Sequence, residues 1–324
     1  MNILITGASG FVGRHLVRHL SGPGGRTPHE IFGTCYPERP EHCADLCRQS
    51  PSVRLVRVDM RSPDSVAELI GSVKPGRIFH LAAISHVRTS WEKRQETLET
   101  NLMGTFHLYE AVRKLAPRAR ILFVSSSDVY GYLRPGERAH AFRESERDGI
   151  VSPYAFTKAG GELLSEFYSD WEDLDVVVAR PFPHTGPGQT ADFVCSDWAR
   201  QIALIEKGKL PPVISVGNLE PRRDYTDVRD VVRAYDLLMK KGGRGEVYNV
   251  SSGRATPLKS VLRTLRSLSK RRIEVRVDPD KLRKSDIVHL AGSNRKIRRR
   301  TGWEPRIPLR KTLADLLEAW RAAE

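Results

Sequence analysis

The chain has 324 residues, of which 40% are hydrophobic and 28% charged, and its formal net charge is +14. This composition is typical of a globular protein with room for one large or two ordinary domains, and it excludes a disordered or membrane-embedded chain. No apolar run approaches the roughly 20 residues that a membrane helix needs. A strand-like segment follows the first methionine directly, so we expect no signal peptide and a cytoplasmic protein.

The positive charge raises the question of a nucleic-acid partner. The basic residues are scattered along the sequence without an aromatic-interleaved stripe, and the densest run, at 295–300, is typical of a solvated helix face. We therefore expect no nucleic-acid partner. A small polyanion, such as a sugar nucleotide, would use only a few of these charges.

The cysteines are expected to be thiols in a reducing compartment. There are four of them, Cys35, Cys43, Cys47 and Cys195. His42, Cys43 and Cys47 are close in sequence but lack the second close pair that a four-coordinate metal site requires, so no metal is expected.

Strand-like and helix-like segments alternate from the first residue. Apolar β-type runs predict strands over 3–6, 31–35, 53–58, 77–80, 121–125 and 176–179. Helical spacing predicts helices over 11–20, 64–70 and 96–115, and a further helix that begins at Pro153. This alternation indicates an α/β fold, with a doubly wound parallel sheet covered on both faces.

The pattern changes beyond residue 180, where proline and glycine cluster between 181 and 221. After this cluster we predict a helix over 228–239, a strand over 247–250 and a final helix over 309–320. The chain is thus expected to form a first domain of 1–180 plus about 224–250. Residues 181–223 and 251–324 are expected to form a smaller mixed α/β lobe.

A glycine-rich turn lies between the first strand and the first helix. Glycines there let the backbone turn sharply and approach a pyrophosphate, while the helix N-terminus supplies amides and a positive dipole. The spacing is GxxGxxG, and the strand–turn–helix context favours a Rossmann-type dinucleotide site over a turn that only packs helix on sheet. The predicted cofactor contacts are Gly7, Ser9, Gly10, Phe11, Val12 and Gly13. Asp59, after the third strand, either accepts a hydrogen bond from an adenine amino group or caps a turn.

The end of the second strand discriminates NAD from NADP, because a carboxylate there grips the ribose 2′-hydroxyl of NAD and repels a 2′-phosphate. No carboxylate stands at this strand end, and Arg39 is within reach of a phosphate. NADP(H) is therefore favoured. Glu38, beside Arg39, leaves NAD(H) open.

Tyr154 and Lys158 lie one turn apart on one face of the helix that begins at Pro153, with Ser152 as its expected cap. A nearby ammonium group favours phenolate, so we expect Lys158 to lower the pKa of Tyr154 and make it an acid–base group. Many solvated helix faces carry such a pair, and alone it indicates little.

Three motifs together resemble the extended short-chain dehydrogenases/reductases that act on nucleotide sugars. They are the glycine turn, the Ser-Ser-Ser-Asp-Val-Tyr-Gly segment at 125–131 and the Tyr154/Lys158 pair. Segments at 180–189, 216–230, 247–253, 282–283 and 301–305 extend the resemblance over nearly the whole chain. The combination most resembles GDP-6-deoxy-D-mannose reductases, which make GDP-D-rhamnose and are close relatives of GDP-mannose 4,6-dehydratases.

The resemblance implies that NAD(P)H delivers hydride to the C4 ketone of GDP-4-dehydro-6-deoxy-D-mannose. Tyr154 would protonate the developing alkoxide, Lys158 would hold the nicotinamide ribose, and Ser126 would hydrogen-bond the same substrate oxygen. Further cofactor contacts are assigned to Met60, Leu81, Ala82 and Ala83. Substrate contacts are assigned to Ser85, His86, Arg88, Ser127, His184, Arg223 and Arg283. For His86, a purely structural role is as well supported as a substrate contact.

Asp128 separates the two leading enzymatic hypotheses. The dehydratase relatives have Glu at this position and Thr at that of Ser126, and dehydration requires an additional base. A carboxylate shorter by one methylene favours the reductase, while residual dehydratase activity stays open.

Two departures from the family pattern concern the sugar and the cofactor. Pro183 replaces the usual Asn of the sugar loop, and Tyr36 replaces an Arg of the reductase relatives. The alternatives are a dehydratase or epimerase that recycles its cofactor and, more remotely, a non-catalytic dinucleotide-binding regulator. The family also implies a homodimer formed by the helices near 96–115 and 153–168.

Overall fold

The computed structural model describes residues 1–22, 29–36, 43, 46, 48, 50, 52–131, 133, 138–146, 149–281 and 289–324. Arg39 and Arg283, to which the sequence analysis assigned cofactor and substrate contacts, lie outside the described residues. So do Glu38, His42 and Cys47.

Short apolar runs form the strands of a central sheet of seven strands in the order β11-β6-β5-β4-β1-β2-β3. Every neighbouring pair is parallel, which confirms the predicted α/β fold class. These strands are β1 (Asn2–Thr6), β2 (Glu30–Cys35), β3 (Val53–Arg57), β4 (Arg77–His80), β5 (Arg120–Val124), β6 (Asp175–Pro181) and β11 (Val247–Val250).

Helices cover both faces of the sheet. In chain order they are α1 (Phe11–Ser21), α2 (Pro63–Val73), α3 (Val87–Glu92), α4 (Arg94–Leu98), α5 (Gly104–Leu115), α6 (Pro153–Trp171), α7 (Val194–Glu206), α8 (Val228–Lys241), α9 (Leu258–Leu268), α10 (Arg295–Thr301) and α11 (Leu309–Ala323). The basic run at 295–300 lies on α10, where Ile297 is buried and four arginines are exposed.

The side chains of β1 show how the two layers form. Successive residues of a strand point to opposite faces, so Ile3 and Ile5 enter the core beneath α1 and α8. Leu4, between them, enters the core beneath α2, α5 and α6. Both faces of the strand are apolar, as a doubly covered parallel sheet requires.

A further core lies among the C-terminal elements. Trp198 on α7, Leu262 on α9 and Leu313 on α11 pack in it. Small sheets join the segments around it: β7 (His184–Thr185) pairs with β10 (Thr226–Asp227), and β8 (Val213–Val216) with β13 (Glu274–Val277). A third contains β12 (Thr256–Pro257), β9 (Arg222–Arg223) and β14 (His289–Leu290).

The helix predicted over 96–115 is interrupted. A π-helical turn, Glu99–Met103, separates α4 from α5. The wider turn brings the amide of Asn101 to the backbone of Ile84, a pairing that an undisturbed apolar repeat does not reveal. The prediction of one continuous α-helix was therefore wrong at this turn.

In the part of the chain that the structure describes, no helix has the length and apolarity that crossing a bilayer requires.

Candidate active site

The glycine turn closes tightly around the carboxyl end of β1. Gly7 has φ +72°, and a Cβ there would lie 2.9 Å from the backbone nitrogen of Ala82. A Cβ on Gly13 would lie 2.3 Å from the carbonyl oxygen of Gly7. The spacing of these glycines thus allows α1 to pack directly against the turn.

The N-terminus of α1 suits an anion. Gly10 caps the helix without a side-chain hydrogen bond, and the first turn, which includes Phe11 and Val12, contains no acidic residue. The amides and the positive end of the helix dipole are therefore not opposed by a local carboxylate. Ser9 completes the turn and is half-buried. The geometry fits the diphosphate of a dinucleotide.

The turn also meets the C-terminal lobe. The Phe11 ring stacks on His184 of β7, with centroids 6.3 Å apart and planes within 8° of parallel. Nη2 of Arg14 donates to the carbonyl of Gly188 at 3.1 Å. A predicted cofactor residue and a predicted substrate residue, Phe11 and His184, are thus in contact. Burial lowers the pKa of His184, so its imidazole is neutral at pH 7.

A buried imidazole fixes the segment after β4. The hydroxyl of Thr6 accepts hydrogen bonds from the amides of Leu81 and Ala82, both at 3.1 Å. Its own proton is then directed to Nδ1 of His80, 2.7 Å away, and Nε2 of His80 donates to Thr105. Burial, together with the charge of Lys158, lowers the pKa of His80 to about 3. The neutral ring thus holds the segment that contains the predicted contacts Leu81, Ala82 and Ala83.

Asn101 connects this segment to the helix of Tyr154. Its Oδ1 accepts from the amide of Ile84 at 2.7 Å, and its Nδ2 donates to the Ile84 carbonyl at 3.1 Å. The same Nδ2 donates to Thr157 at 3.0 Å, and Thr157 donates to the carbonyl of Tyr154. Local sequence spacing does not reveal Asn101, because its partners lie 17 and 56 positions away in the sequence.

The start of α6 is held as predicted. Ser152 caps the helix by accepting from the amide of Ala155 at 3.0 Å, and Pro153 begins it. The amide of Tyr154, free in a first helical turn, donates to the buried hydroxyl of Ser90 at 3.2 Å. Ser90 is a second residue that the sequence analysis missed, and it fastens α3 to the start of α6.

Ser126 and Asp128 lie beside Tyr154. The hydroxyl of Ser126 accepts from the amide of Asp128 at 3.1 Å and lies close enough to the phenol of Tyr154 to influence its pKa. Burial raises the pKa of Tyr154, the charge of Asp128 raises it further, and the interaction with Ser126 opposes both. The phenol is therefore in its acid form at neutral pH.

The expectation that Lys158 lowers the pKa of Tyr154 was wrong. The ammonium group of Lys158 donates to the backbone carbonyl of Val124 at 2.7 Å and lies 5.9 Å from the centroid of the phenol ring. Burial lowers the pKa of Lys158 to about 8. Burial and the nearby Asp128 therefore determine the direction of the Tyr154 shift.

The residues predicted to contact substrate are less tightly grouped. Ser85 and Arg88 are exposed, and Arg88 is paired with Glu92 at 3.0 Å. His86 is half-buried and packs edge-on against Phe193, with centroids 5.7 Å apart. Phe193, which sequence reasoning missed, stands at the start of α7.

Two other predicted substrate residues lie on different elements. Ser127 is buried and begins the short 3₁₀ turn after β5. Arg223 is half-buried on β9, where Nη1 donates to the carbonyl of Arg222 at 3.0 Å.

Asp59 forms an ion pair at the carboxyl end of β3. Its carboxylate accepts from Nε and Nη2 of Arg61, which lowers the pKa of Asp59. Nη2 of Arg61 also donates to the hydroxyl of Tyr36 at 2.9 Å. Arg61 is thus a cation beside the end of β2 that sequence reasoning missed. Met60 is buried, and its carbonyl accepts from His107.

Among the described residues, no group of three or more His, Cys, Asp or Glu side chains could hold a metal ion.

Known proteins are similar to this chain over nearly its full length. The family described as GDP-mannose 4,6 dehydratase matches residues 4–316. GDP-6-deoxy-D-mannose reductase of Pseudomonas aeruginosa is 32% identical over 320 residues, which cover 99% of this chain and 97% of that protein.

Solved structures are also similar to this chain over its full length. RMD from Pseudomonas aeruginosa, complexed with NADPH, superposes with a TM-score of 0.85 at 31% identity, covering 100% of this chain and 99% of that one. UDP-glucose 4-epimerase of Thermus thermophilus, in complex with NAD, has a TM-score of 0.85 at 27% identity and full coverage of both chains. The chain therefore belongs to the GDP-mannose 4,6-dehydratase family of extended short-chain dehydrogenases/reductases.

Proposed function

We propose that this chain is an NAD(P)H-dependent reductase that converts GDP-4-dehydro-6-deoxy-D-mannose into GDP-D-rhamnose. The observation that carries the proposal is the match along the whole chain to a GDP-6-deoxy-D-mannose reductase. The closeness of the Ser126 and Tyr154 hydroxyls supports it, because both can then bond to one substrate oxygen.

The residues that would hold the dinucleotide are those of the glycine turn with Asp59, Met60, Leu81, Ala82, Ala83, Tyr154 and Lys158. The bound nicotinamide would supply the hydride. NADPH is favoured because a relative of 31% identity binds it, and the cation of Arg61 beside Tyr36 suits a 2′-phosphate. NAD is the alternative, since it is bound by a more distant relative.

Tyr154 acts as the general acid in the proposed reaction. As hydride reaches C4, negative charge develops on the C4 oxygen, and the phenol gives its proton to that oxygen. The raised pKa keeps this proton on Tyr154 at neutral pH until the stronger base appears. Ser126 donates a hydrogen bond to the same oxygen, and Lys158 would hold the ribose of the nicotinamide.

The substrate contacts that we propose are Ser85, His86, Arg88, Ser127, His184, Arg223 and Arg283. The arginines suit the diphosphate and the ribose of GDP, because guanidinium matches phosphate geometry. His86 with Phe193 provides a half-buried surface for the hexose.

A 4,6-dehydratase is the second candidate, because Asp128 keeps a carboxylate at this position, one methylene shorter than the Glu of the dehydratase relatives. Its carboxylate is close enough to Tyr154 to raise the pKa of the phenol. A carboxylate beside the proposed acid is the kind of base that removal of the C5 proton in dehydration requires. The family also takes its description from a dehydratase.

One incubation experiment separates the two candidates. Given GDP-4-dehydro-6-deoxy-D-mannose, a reductase consumes NAD(P)H, and given GDP-mannose it does not form the 4-keto sugar. A dehydratase consumes GDP-mannose with no net change in nicotinamide absorbance. Turnover of neither sugar nucleotide would contradict both.

Tyr154→Phe should lower kcat/KM for the keto-sugar by about 100-fold or more, because the proton donor is lost. Tyr168→Phe, on the same helix, is the matched control, since its hydroxyl bonds Glu110 and takes no part in the reaction. Equal losses in the two variants would count against Tyr154 as the acid. Steady-state kinetics of both variants makes the comparison.

We further propose that the enzyme is a cytoplasmic homodimer without a nucleic-acid partner. Residues 1–180 plus about 224–250 would form its dinucleotide-binding domain, and 181–223 with 251–324 its nucleotide-sugar lobe. The apolar core shared by α7, α9 and α11 supports this division. Exposed apolar side chains on α5 and α6, such as Phe106 and Leu163, support the dimer.

A further inference from the structure

A buried ion pair lies behind the proposed active site. Arg180 on β6 has no exposed surface, and Glu162 on α6 is 3% exposed. Nε of Arg180 donates to Oε1 of Glu162 at 2.8 Å, and Nη2 donates to Oε2 at 2.7 Å. A bidentate pair of this kind has a fixed geometry.

The pair also forms hydrogen bonds with both ends of the turn that carries Ser126 and Asp128. The hydroxyl of Ser125, before the turn, donates to Oε1 of Glu162. Nη1 of Arg180 donates to the hydroxyl of Tyr130, at the end of the turn, at 3.0 Å. Burying two charges is costly unless their hydrogen bonds are satisfied, and here they are.

Glu162 also faces the predicted catalytic lysine. It follows Lys158 by four residues on α6, so the two side chains share one face of the helix. Lys158 is 5% exposed, and its ammonium group donates to the carbonyl of Val124. Burial lowers the pKa of Lys158 to about 8, and the carboxylate of Glu162 acts in the opposite direction. Because the pKa of Lys158 lies so near neutrality, loss of the negative charge of Glu162 would leave much of Lys158 deprotonated at pH 7.

We propose that Glu162 is a positioning residue that keeps Lys158 protonated at neutral pH, and that Arg180 fixes the carboxylate in place for this role. The consequence for catalysis rests on the proposed function, whereas the effect on Lys158 does not. Other titratable groups surround Lys158 and Tyr154 on the neighbouring elements. They are His80 on β4, Asp128 in the turn after β5 and Tyr235 on α8.

The charges of the pair predict the direction in which the titration midpoint of Lys158 moves in each variant. In Glu162→Gln the carboxylate is gone while the buried guanidinium of Arg180 remains, so Lys158 should lose its proton at lower pH. In the double variant Glu162→Gln with Arg180→Met both charges are gone, and the midpoint should lie between those of the single variant and the wild type. Loss of packing alone would not order the variants in this way.

Direct titration of Lys158 tests the proposal. Protein labelled with ¹³C-lysine is titrated by NMR, and the signal of Lys158 is assigned by its absence in Lys158→Met. We expect Glu162→Gln to lower the midpoint by about one pH unit or more. Ser125→Ala is the matched control, because it removes a neutral donor to Glu162 and leaves both charges, so its midpoint should equal that of the wild type.

An unchanged or raised midpoint in Glu162→Gln would overturn the proposal. If that variant does not fold, the double variant decides, since a midpoint at or above that of the wild type contradicts the proposal. A shift in Ser125→Ala as large as that in Glu162→Gln would also overturn it.

Kinetics separates this inference from the proposed function. If the wild type reduces the keto-sugar, the basic limb of its kcat/KM profile should move to lower pH in Glu162→Gln and stay in place in Ser125→Ala. If the wild type has no such activity, the proposed function fails while the titration of Lys158 can still succeed. If the wild type is an active reductase and the Lys158 midpoint is unchanged in Glu162→Gln, the inference is contradicted while the proposed function stands.

Discussion

His80 is a buried residue whose protonation should control stability. Its pKa is about 3 in the folded protein, against about 6.5 in an unfolded chain. Between these values the unfolded state binds more protons, so the stabilising contribution is complete above pH 6.5 and is lost as the pH falls. The burial of the ring, together with the charge of Lys158, is the cause, because both disfavour the protonated imidazole.

We therefore expect His80 to account for about 2 kcal/mol of the decrease in the free energy of unfolding between pH 7 and pH 5. His80→Gln, which does not titrate, should show a correspondingly shallower pH dependence. Urea denaturation of both proteins at the two pH values provides the measurement. Equal slopes would mean that His80 is not the group responsible.

Part of the candidate site follows from local sequence spacing alone. The glycine turn and the Tyr154/Lys158 pair have local spacing that a single sequence reveals. The direction of the Tyr154 pKa shift could not be predicted, because it depends on burial and on Asp128, which a helical spacing does not encode. The buried ion pair of Arg180 could not be predicted either, because the partners of Arg180 lie on separate elements.

At the level of elements, the π-helical turn is the feature with the clearest function. It presents Asn101, which is 3% exposed and forms three hydrogen bonds, two to Ile84 and one to Thr157. These bonds join the segment after β4 to α6. The turn therefore sets the distance between the two predicted parts of the cofactor site.

Asn101→Ala should lower the free energy of unfolding by about 1–3 kcal/mol, because the amide and carbonyl of Ile84 lose their partners. It should also weaken cofactor binding, as the segment of Leu81 and Ala82 is released. Urea denaturation and calorimetric titration with NADPH provide the two measurements. Gln95→Ala removes an exposed bond to Glu99 in the preceding helix and should change neither. An Asn101→Ala protein as stable as this control would contradict the assigned role.

Apolar periodicity predicted most of these elements but not their irregularities. The helix from Pro153 and the strands over 77–80 and 247–250 were confirmed. The two-residue strands of the lobe were not predicted, because such short segments have no period of their own. Their pairing depends on contacts such as that between His184 and Thr226, 42 positions apart in the printed sequence.

At the level of the whole molecule, α5, α6 and the π-helical turn share an apolar surface. Its exposed side chains are Met103, Phe106, Phe156, Leu163, Phe167 and Trp171. Water-exposed apolar groups on neighbouring helices favour association with a second copy of the same surface, because a twofold axis makes such a patch self-complementary.

The double variant Leu163→Glu with Phe167→Glu should therefore be monomeric, since four charges would face each other across the twofold axis. Light scattering after gel filtration should give the chain mass of 36.5 kDa for the variant and twice that mass for the wild type. Leu210→Glu, an exposed leucine outside this surface, should stay dimeric. A monomeric wild type would rule out the proposed interface.

The order of the central sheet has a consequence for biosynthesis. When the ribosome has released the first 181 residues, six strands can pair, yet the edge at β6 still lacks its neighbour, which comes from Val247–Val250. An open edge of this kind offers unpaired amides and carbonyls to any nearby chain. The emerging polypeptide is therefore most vulnerable to aggregation while the intervening residues are being synthesised, and a chaperone that shields β6 would act during that interval.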